Sequence, residues 1–336
     1  MSLRLVQVVL PRGKQDELAE ALGDIDSDRS WTVETSEDHQ VTNIVTRADQ
    51  CEDLIEALSD RFEGTERFRV TLQAAEATYP KLPEPEDLDD EPKDKDDPDK
   101  LKPLIGRVSR EELEEDLIYD GKVTRLFVTM TALSTVVACV GLMKDQPAIV
   151  IGAMVIAPLL GPNMALALGT TLGDIKLIKR SLVANGVGIG SALVMSAIVG
   201  VIANVNSESA EFAARASVDF YDIPLALAAG AAGSLAATTG AASTLVGVMV
   251  AVALLPPTAA CGMLAGSGDW KAAFGAFQML MINVVGINLA ATGVFLLQGI
   301  RPNTWWDAER ARSASRRALI VWAGLLAVLT ALVFIW

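Results

Sequence analysis

Histidine occurs once, at His39, and cysteine three times, at Cys51, Cys139 and Cys261, in a chain of 336 residues. Without clustered imidazoles or paired thiols there is no zinc set, no disulfide framework and no histidine-based dyad. His39 falls at the turn or edge of a hairpin and reads as a solvated turn residue. Cys139 and Cys261 lie in apolar stretches, where a thiol serves as a small packing group. A signal peptide is also missing from the reading, since Met1–Leu10 runs straight into polar, charged sequence. Charge itself is scarce in the larger part of the chain. Residues 123–336 hold 9 acids and 12 bases, whereas residues 1–122 hold 33 of the 42 acids and 16 of the 28 bases.

The overall 51% hydrophobic content and mean hydropathy of +0.35 therefore average two unlike parts, an acidic soluble region and a nearly charge-free one. A net charge of −14 argues against nucleic acid as a partner, because a phosphate backbone needs a basic face. Excess Asp and Glu keep a surface hydrated at high salt, so the composition points to a halophilic source before an acidic docking surface.

In the acidic region, residues 4–10 read as a strand, 13–22 as an amphipathic helix, and 30–35 and 39–47 as two more strands. Residues 48–62 read as a second helix, with Cys51, Leu54, Ile55 and Leu58 at helical spacing, and 67–73 as a fourth strand. The order βαββαβ predicts an α+β ferredoxin-like domain over residues 1–79. That arrangement carries regulatory, assembly and catalytic domains alike. Such domains often pair through sheets or helices, which makes homo-oligomerisation an expectation. Residues 80–107 are proline- and acid-rich and read as an extended linker. Residues 108–122 read as a juxtamembrane amphipathic helix, opened by a Ser109/Glu112 capping box.

Apolar stretches long enough to cross a bilayer fall near 123–143, 147–172, 181–203, 223–239, 241–265, 272–299 and 317–336. The expectation is a polytopic α-helical membrane protein of about seven spans, with the lipid bilayer as its principal partner. Lys176, Lys179 and Arg180 follow the second span, and Arg301, Arg310, Arg312, Arg316 and Arg317 follow the sixth. The loop after the third span is acidic. Basic loops stay inside. This places the multi-pass protein in the cell membrane with a cytoplasmic N-terminus and an external Trp336.

Residues 151–176 and 246–271 align without gaps at ten of 26 positions, among them Met154/Met249, Pro162/Pro257, Asp174/Asp269 and Lys176/Lys271. For so biased a composition roughly two or three matches arise by chance. Further on, NGVGI (185–189) answers NVVGI (283–287). The membrane region thus divides into repeats 123–203 and 223–299 of three spans each, with 317–336 as an extra helix. An odd number of spans per repeat inverts one half against the other, a common plan of secondary transporters.

Both second spans of the repeats carry prolines at mid-depth, Pro158, Gly161 and Pro162 in one, Pro256 and Pro257 in the other. Each predicts a kinked or broken helix, tolerated at that depth only against protein or a wet cavity. Asn163 and Thr258 sit just past the breaks, and Asn185 and Asn283 lie in the following spans. Together these nine residues form the candidate substrate site. The plainer reading is a structural kink with asparagines hydrogen-bonding between helices. Asp174 with Lys176 and Asp269 with Lys271 read first as helix-end anchors and second as gate residues. Within the spans there is no histidine and no further carboxylate, so a proton relay is not expected. The glycines of NGVGIGS lie within a span with no preceding strand, which reads as close packing rather than nucleotide binding. No cofactor is expected.

The motifs GAMVIAPLLGP (152–162) and LVGVMVAVALLPPTAACGMLAG (245–266) resemble a prokaryotic membrane family known as domain of unknown function 389. The resemblance covers about residues 120–300 and extends to the head. It implies the architecture and carries no activity. The residues themselves favour a transporter or channel for a small polar or anionic solute, gated by the head. The alternative is a non-transporting signalling or scaffold protein whose head binds a ligand or partner. A lipid-acting enzyme is disfavoured, because no nucleophile, metal cluster or acid–base pair stands near either interface.

Overall fold

The computed structural model describes residues 3–22, 30–34, 39–47, 50–62, 64–75, 108, 110–203, 205–239, 243–300 and 319–331. The expected linker, the Ser109 half of the capping box and the arginines of 301–317 lie outside the described residues. The chain divides into two compact units, Met1–Leu113 and Glu114–Trp336.

In the first unit the elements run β1 (Leu3–Pro11), α1 (Gln15–Leu22), β2 (Ser30–Glu34), β3 (His39–Arg47), α2 (Cys51–Phe62) and β4 (Arg69–Ala75). They form one antiparallel sheet in the order β2-β3-β1-β4, which is the split-βαβ arrangement. The period-2 pattern of β1 decides which face is covered. Val6, Val8 and Leu10 point inward, against Leu18 of α1 and Leu54, Leu58 and Phe62 of α2. Cys51 is fully buried in that core. His39 pairs with Pro11 as the first residue of β3, at the edge of the hairpin. Arg4, also on the inward face, makes a bidentate pair with Glu112, Nε to Oε2 and Nη2 to Oε1 at 2.8 Å each. A fork–fork pair of this kind fixes orientation as well as charge. Glu112, expected in a capping box, thus serves Arg4.

α3 (Arg110–Asp120) bridges the boundary between the units. The second unit continues with α4 (Arg125–Met143), α5 (Pro147–Ile156), α6 (Leu160–Leu172), α7 (Ile175–Ile202), α8 (Ala210–Ala216), α9 (Asp222–Thr239), α10 (Ser243–Ser267) and α11 (Trp270–Leu297). A thirteen-residue apolar helix, α12 (Leu319–Ala331), lies within the expected last span. Among the described residues three helices, α4, α7 and α11, are long and apolar enough to cross a membrane, and the bent pair α5–α6 passes as a fourth if taken as one span. α8 was not expected. Its Glu211 amide donates to Asp145 Oδ1 at 2.7 Å.

The first expected break is present. α5 ends at Ile156, residues 157–159 are non-helical, and α6 leaves at 57°. Ala157 has φ −72° and ψ 119°, the extended conformation imposed on a residue preceding proline. Pro162 then occupies the first turn of α6, where a missing N–H costs nothing. The second expected break is absent. α10 is one unbroken 25-residue helix that carries Pro256 and Pro257 inside it. The spacing of the prolines explains the difference. Pro158 and Pro162 strip hydrogen bonds from two successive turns, with Gly161 adding backbone freedom. Pro256 and Pro257 strip theirs from a single turn, flanked by long helix on both sides and by fully buried Leu254, Leu255, Ala259 and Ala260.

α7 and α11 share a design. Each has 28 residues and an aspartate N-cap, Asp174 or Asp269, preceded by a left-handed glycine, Gly173 at φ 70° or Gly268 at φ 88°. Only glycine takes that conformation freely, which is why the GD pair ends one helix and starts the next. Packing between α7 and α10 depends on bare backbone. A Cβ at Gly200 would overlap the Met263 carbonyl, one at Gly262 the Ser196 hydroxyl, and one at Gly266 the Ala197 carbonyl. These contacts set the C-terminal ends of α7 and α10 side by side. Because α11 starts just after α10 ends, it runs antiparallel to α7.

Candidate functional site

The centre of the site is Asn163, fully buried in the first turns of α6. Its Nδ2 donates to the Leu159 carbonyl at 2.9 Å, across the start of the helix, and to Asn185 Oδ1 of α7 at 2.8 Å. Its Oδ1 accepts from Asn288 Nδ2 of α11 at 2.9 Å. One amide therefore joins three helices. The outer asparagines are held in turn by their own helices. Asn185 Nδ2 donates to the Ser181 carbonyl at 3.1 Å, and Asn288 Nδ2 donates to the Val284 carbonyl at 2.8 Å. No side chain caps the N-terminus of α6 at Leu159. That end of the helix lies in the middle of a bent span, with its positive dipole beside the bridge.

Donors and acceptors are unequally matched here. Both Nδ2 protons of Asn163 and both of Asn288 are used, but Asn288 Oδ1 has no hydrogen-bond partner among the described residues. The same is true of Ser181 Oγ and Thr292 Oγ1, both fully buried. Ser181 lies one turn from Asn185 and Thr292 one turn from Asn288. Because α7 and α11 are antiparallel, both hydroxyls fall on the same side of the bridge, toward the α6–α7 turn. At that end of α11, Gln298 is 3% exposed with neither amide atom partnered.

Most other buried hydroxyls in the bundle satisfy themselves on their own backbone three or four residues back. Thr131 donates to Phe127, Thr135 to Thr131, Thr170 to Leu166, Thr171 to Ala167, Ser196 to Ala192 and Ser234 to Gly230, at 2.7 to 3.0 Å. Thr258 does likewise, to Leu254 at 2.6 Å. Its hydroxyl is committed to α10 and offers the site nothing. Ser134 reaches across instead, donating to the Ala153 carbonyl of α5.

Of the residues singled out in the sequence, the structure thus brings together Asn163 and Asn185, with Pro162 buried beside them and Pro158 and Gly161 half-buried at the bend. Pro256 and Pro257 are buried within continuous α10. Asn283 is buried on α11, but Asn288, five residues on, is the one that meets Asn163. Asn283 is the fourteenth residue of α11 and Asn185 the eleventh of α7, so the two are offset by nearly a turn when the matched helix starts are aligned. Asn288 carries no repeat signal, which is why the sequence did not reveal it. Its spacing from Thr292, an i, i+4 polar pair in an apolar helix, was the available clue.

Asp174 accepts from the amides of Lys176 at 2.8 Å and Leu177 at 3.2 Å, and Asp269 from that of Ala272 at 3.1 Å. They cap α7 and α11 at opposite ends of the bundle, and Lys176 and Lys271 are exposed. Among the described residues no group of three His, Cys, Asp or Glu side chains could hold a metal ion.

A family model described as Domain of unknown function (DUF389) matches residues 154–289, a span that begins just before the bend and closes one residue after Asn288. An uncharacterized protein of Methanocaldococcus jannaschii is 32% identical over 339 residues, covering 99% of each chain. No solved structure matches the chain.

Proposed function

The chain belongs to the family of the domain of unknown function 389, and from its residues we propose that it is a membrane transporter or channel for a small polar or anionic solute. The observation that carries this reading is the buried bridge Asn185–Asn163–Asn288 at the uncapped start of a helix that begins mid-span. Backbone ends and amides at such depth are costly in hydrocarbon, and they are retained where they line a path or a binding site. Two inverted halves, 123–203 and 223–299, agree with the equal lengths and matching GD starts of α7 and α11. The extra helix over 317–336 completes a seven-span plan. Lys176, Lys179 and Arg180 beside the α6–α7 turn support a cytoplasmic placement of that turn, and the N-terminal domain is read as a cytoplasmic regulator of the path.

The close, glycine-mediated packing of α7 on α10 favours a second reading, a signalling or scaffold protein whose helices serve as an anchor. Reconstitution separates the two. Proteoliposomes holding the full chain should pass at least one solute class from a broad screen, and Asn163→Leu should abolish that flux while leaving the protein folded. A well-folded chain that passes nothing leaves the anchor.

A further inference from the structure

We infer that the solute held beside Asn288 is neutral and amphoteric, a small molecule that both donates and accepts hydrogen bonds, rather than an anion or a metal cation. The inference rests on the transport reading and names the substrate class of the same site. It starts from three buried oxygens with nothing bonded to them: Asn288 Oδ1, Ser181 Oγ and Thr292 Oγ1.

These oxygens are not an accident of side-chain placement. Asn288 cannot turn its amide over to present a donor instead, because Nδ2 is already engaged by both Asn163 Oδ1 and the Val284 carbonyl. Its free atom is therefore an acceptor, fixed by two bonds on the other side of the amide. Ser181 and Thr292 each have the usual recourse of a helical hydroxyl, donation to the carbonyl four residues back. Thr131, Thr135, Thr170, Thr171, Ser196, Ser234 and Thr258 all take it. Ser181 and Thr292 do not. They are the two hydroxyls one turn from the bridge, on its cytoplasmic side in the proposed topology.

Chemistry then selects the occupant. An anion would accept from the two hydroxyls and face Asn288 Oδ1, a fixed negative dipole end with no donor left to offer. A cation would suit all three oxygens, with each hydroxyl proton turned to the carbonyl four residues back, and what counts against it is charge. Neither ion meets a countercharge, since the spans hold no carboxylate beyond the capping Asp174 and Asp269, which stand at the helix ends. A buried ion without a partner is costly. A neutral solute with an N–H or O–H for Asn288 Oδ1 and an oxygen for the hydroxyls satisfies every group. Small amides and polyols have this chemistry. The anionic option allowed by the sequence is thereby set aside, because Asn288 Oδ1 faces the occupant as an acceptor with no proton to give, and Asn163 has both of its Nδ2 protons engaged by Leu159 and Asn185.

The test uses proteoliposomes of the full chain loaded in parallel with urea, acetamide and glycerol, with sodium and rubidium ions, and with chloride and phosphate. The neutral probes should cross at least tenfold faster than in protein-free vesicles and faster than any ion. Thr292→Val, equal in shape, should lower that flux about tenfold, and Thr292→Ser should restore it. Asn288→Asp should shift selectivity toward the cations. Flux of anions or cations with no flux of neutral probes overturns the inference and leaves the transport reading intact. Neutral flux indifferent to Thr292→Val also overturns it. No flux of any probe overturns the transport reading itself and the inference with it.

Discussion

Asn288 Nδ2 donates to Asn163 Oδ1 at 2.9 Å across 125 residues of chain, tying the third helix of the second expected repeat to the bent helix of the first. The bond is fully buried at both ends. Interhelical hydrogen bonds in bilayers contribute modestly, about 0.6 kcal/mol on average and up to roughly 1.7. A double-mutant cycle with Asn163→Leu and Asn288→Leu should therefore return a coupling of about 0.5–2 kcal/mol in detergent unfolding. Transport should fall far more than stability does. If the coupling is zero, the two amides do not meet in the folded protein.

The two proline sites should respond oppositely. Pro257 occupies an unbroken helix, so Pro257→Ala returns an N–H to α10 and relieves a steric clash. The variant should be more stable by about 1–3 kcal/mol, with flux little changed. Pro158→Ala removes the constraint that holds Ala157 extended, and lets α5 and α6 join toward one helix. Stability should then change little while flux is lost, because the start of α6 is no longer free beside the bridge. Unfolding midpoints and proteoliposome flux for both variants check the contrast.

That contrast also marks how far the sequence reaches. Alternation in residues 4–10 and 39–47 foretold β1 and β3, because period-2 burial is a local property. Long apolar runs likewise foretold α4, α7, α9 and α11 to within six residues. Pro158 foretold a bend, since its effect on Ala157 is local too. Pro256 and Pro257 obey the same rule, yet α10 stays continuous, because dense packing around Leu254–Ala260 outweighs the local preference. Asn163 and Asn185 were legible as polar groups in apolar helices. Their partner Asn288 was not, because which asparagine faces α6 depends on helix rotation, and the motif match of 185–189 with 283–287 pointed to Asn283. Ser181 and Thr292 were invisible for another reason: a hydroxyl in a helix is unremarkable until its usual carbonyl is found unused.

The glycines between α7 and α10 carry a stability prediction. Gly262→Val would drive a side chain into Ser196 and the Leu193 carbonyl, and Gly200→Val into the backbone of Met263. Each should lower stability by several kcal/mol or prevent folding, since overpacking costs about 1–3 kcal/mol even where neighbours can shift. Gly190 meets nothing within 4 Å of an added Cβ. Gly190→Ala should be neutral or stabilising by up to about 1 kcal/mol. Thermal midpoints in detergent separate the two groups.

Asp222, at the start of α9, gives a pH prediction. Burial raises its pKa above the usual 3.8, against the lowering effect of the bond it accepts from the Asp219 amide at 2.7 Å. A carboxyl whose folded pKa is raised adds stability that is present at low pH and is lost as pH rises through the folded value. Asp222→Asn keeps the acceptor and removes the charge. The variant should be more stable than the parent at neutral pH, and the gap should close as pH falls toward about 4. A gap that widens on acidification would mean the carboxylate is held by a favourable charge instead.

Asp174 and Asp269 can be tested as caps against gates. As caps, they accept from the amides at the starts of α7 and α11, and alanine at either position should cost about 0.5–2 kcal/mol. Asparagine, an almost equally good cap, should recover most of that loss. Solute flux per folded molecule should be unchanged in both variants, because neither residue reaches the Asn163 bridge. A gate makes the opposite demand: charge itself matters, so Asp174→Asn would alter flux or its voltage dependence while leaving stability intact. Measuring midpoint and flux on the same alanine and asparagine preparations decides between the two. Flux that follows charge at Asp174 but not at Asp269 would place the gate at the end of the bundle with Lys176, Lys179 and Arg180.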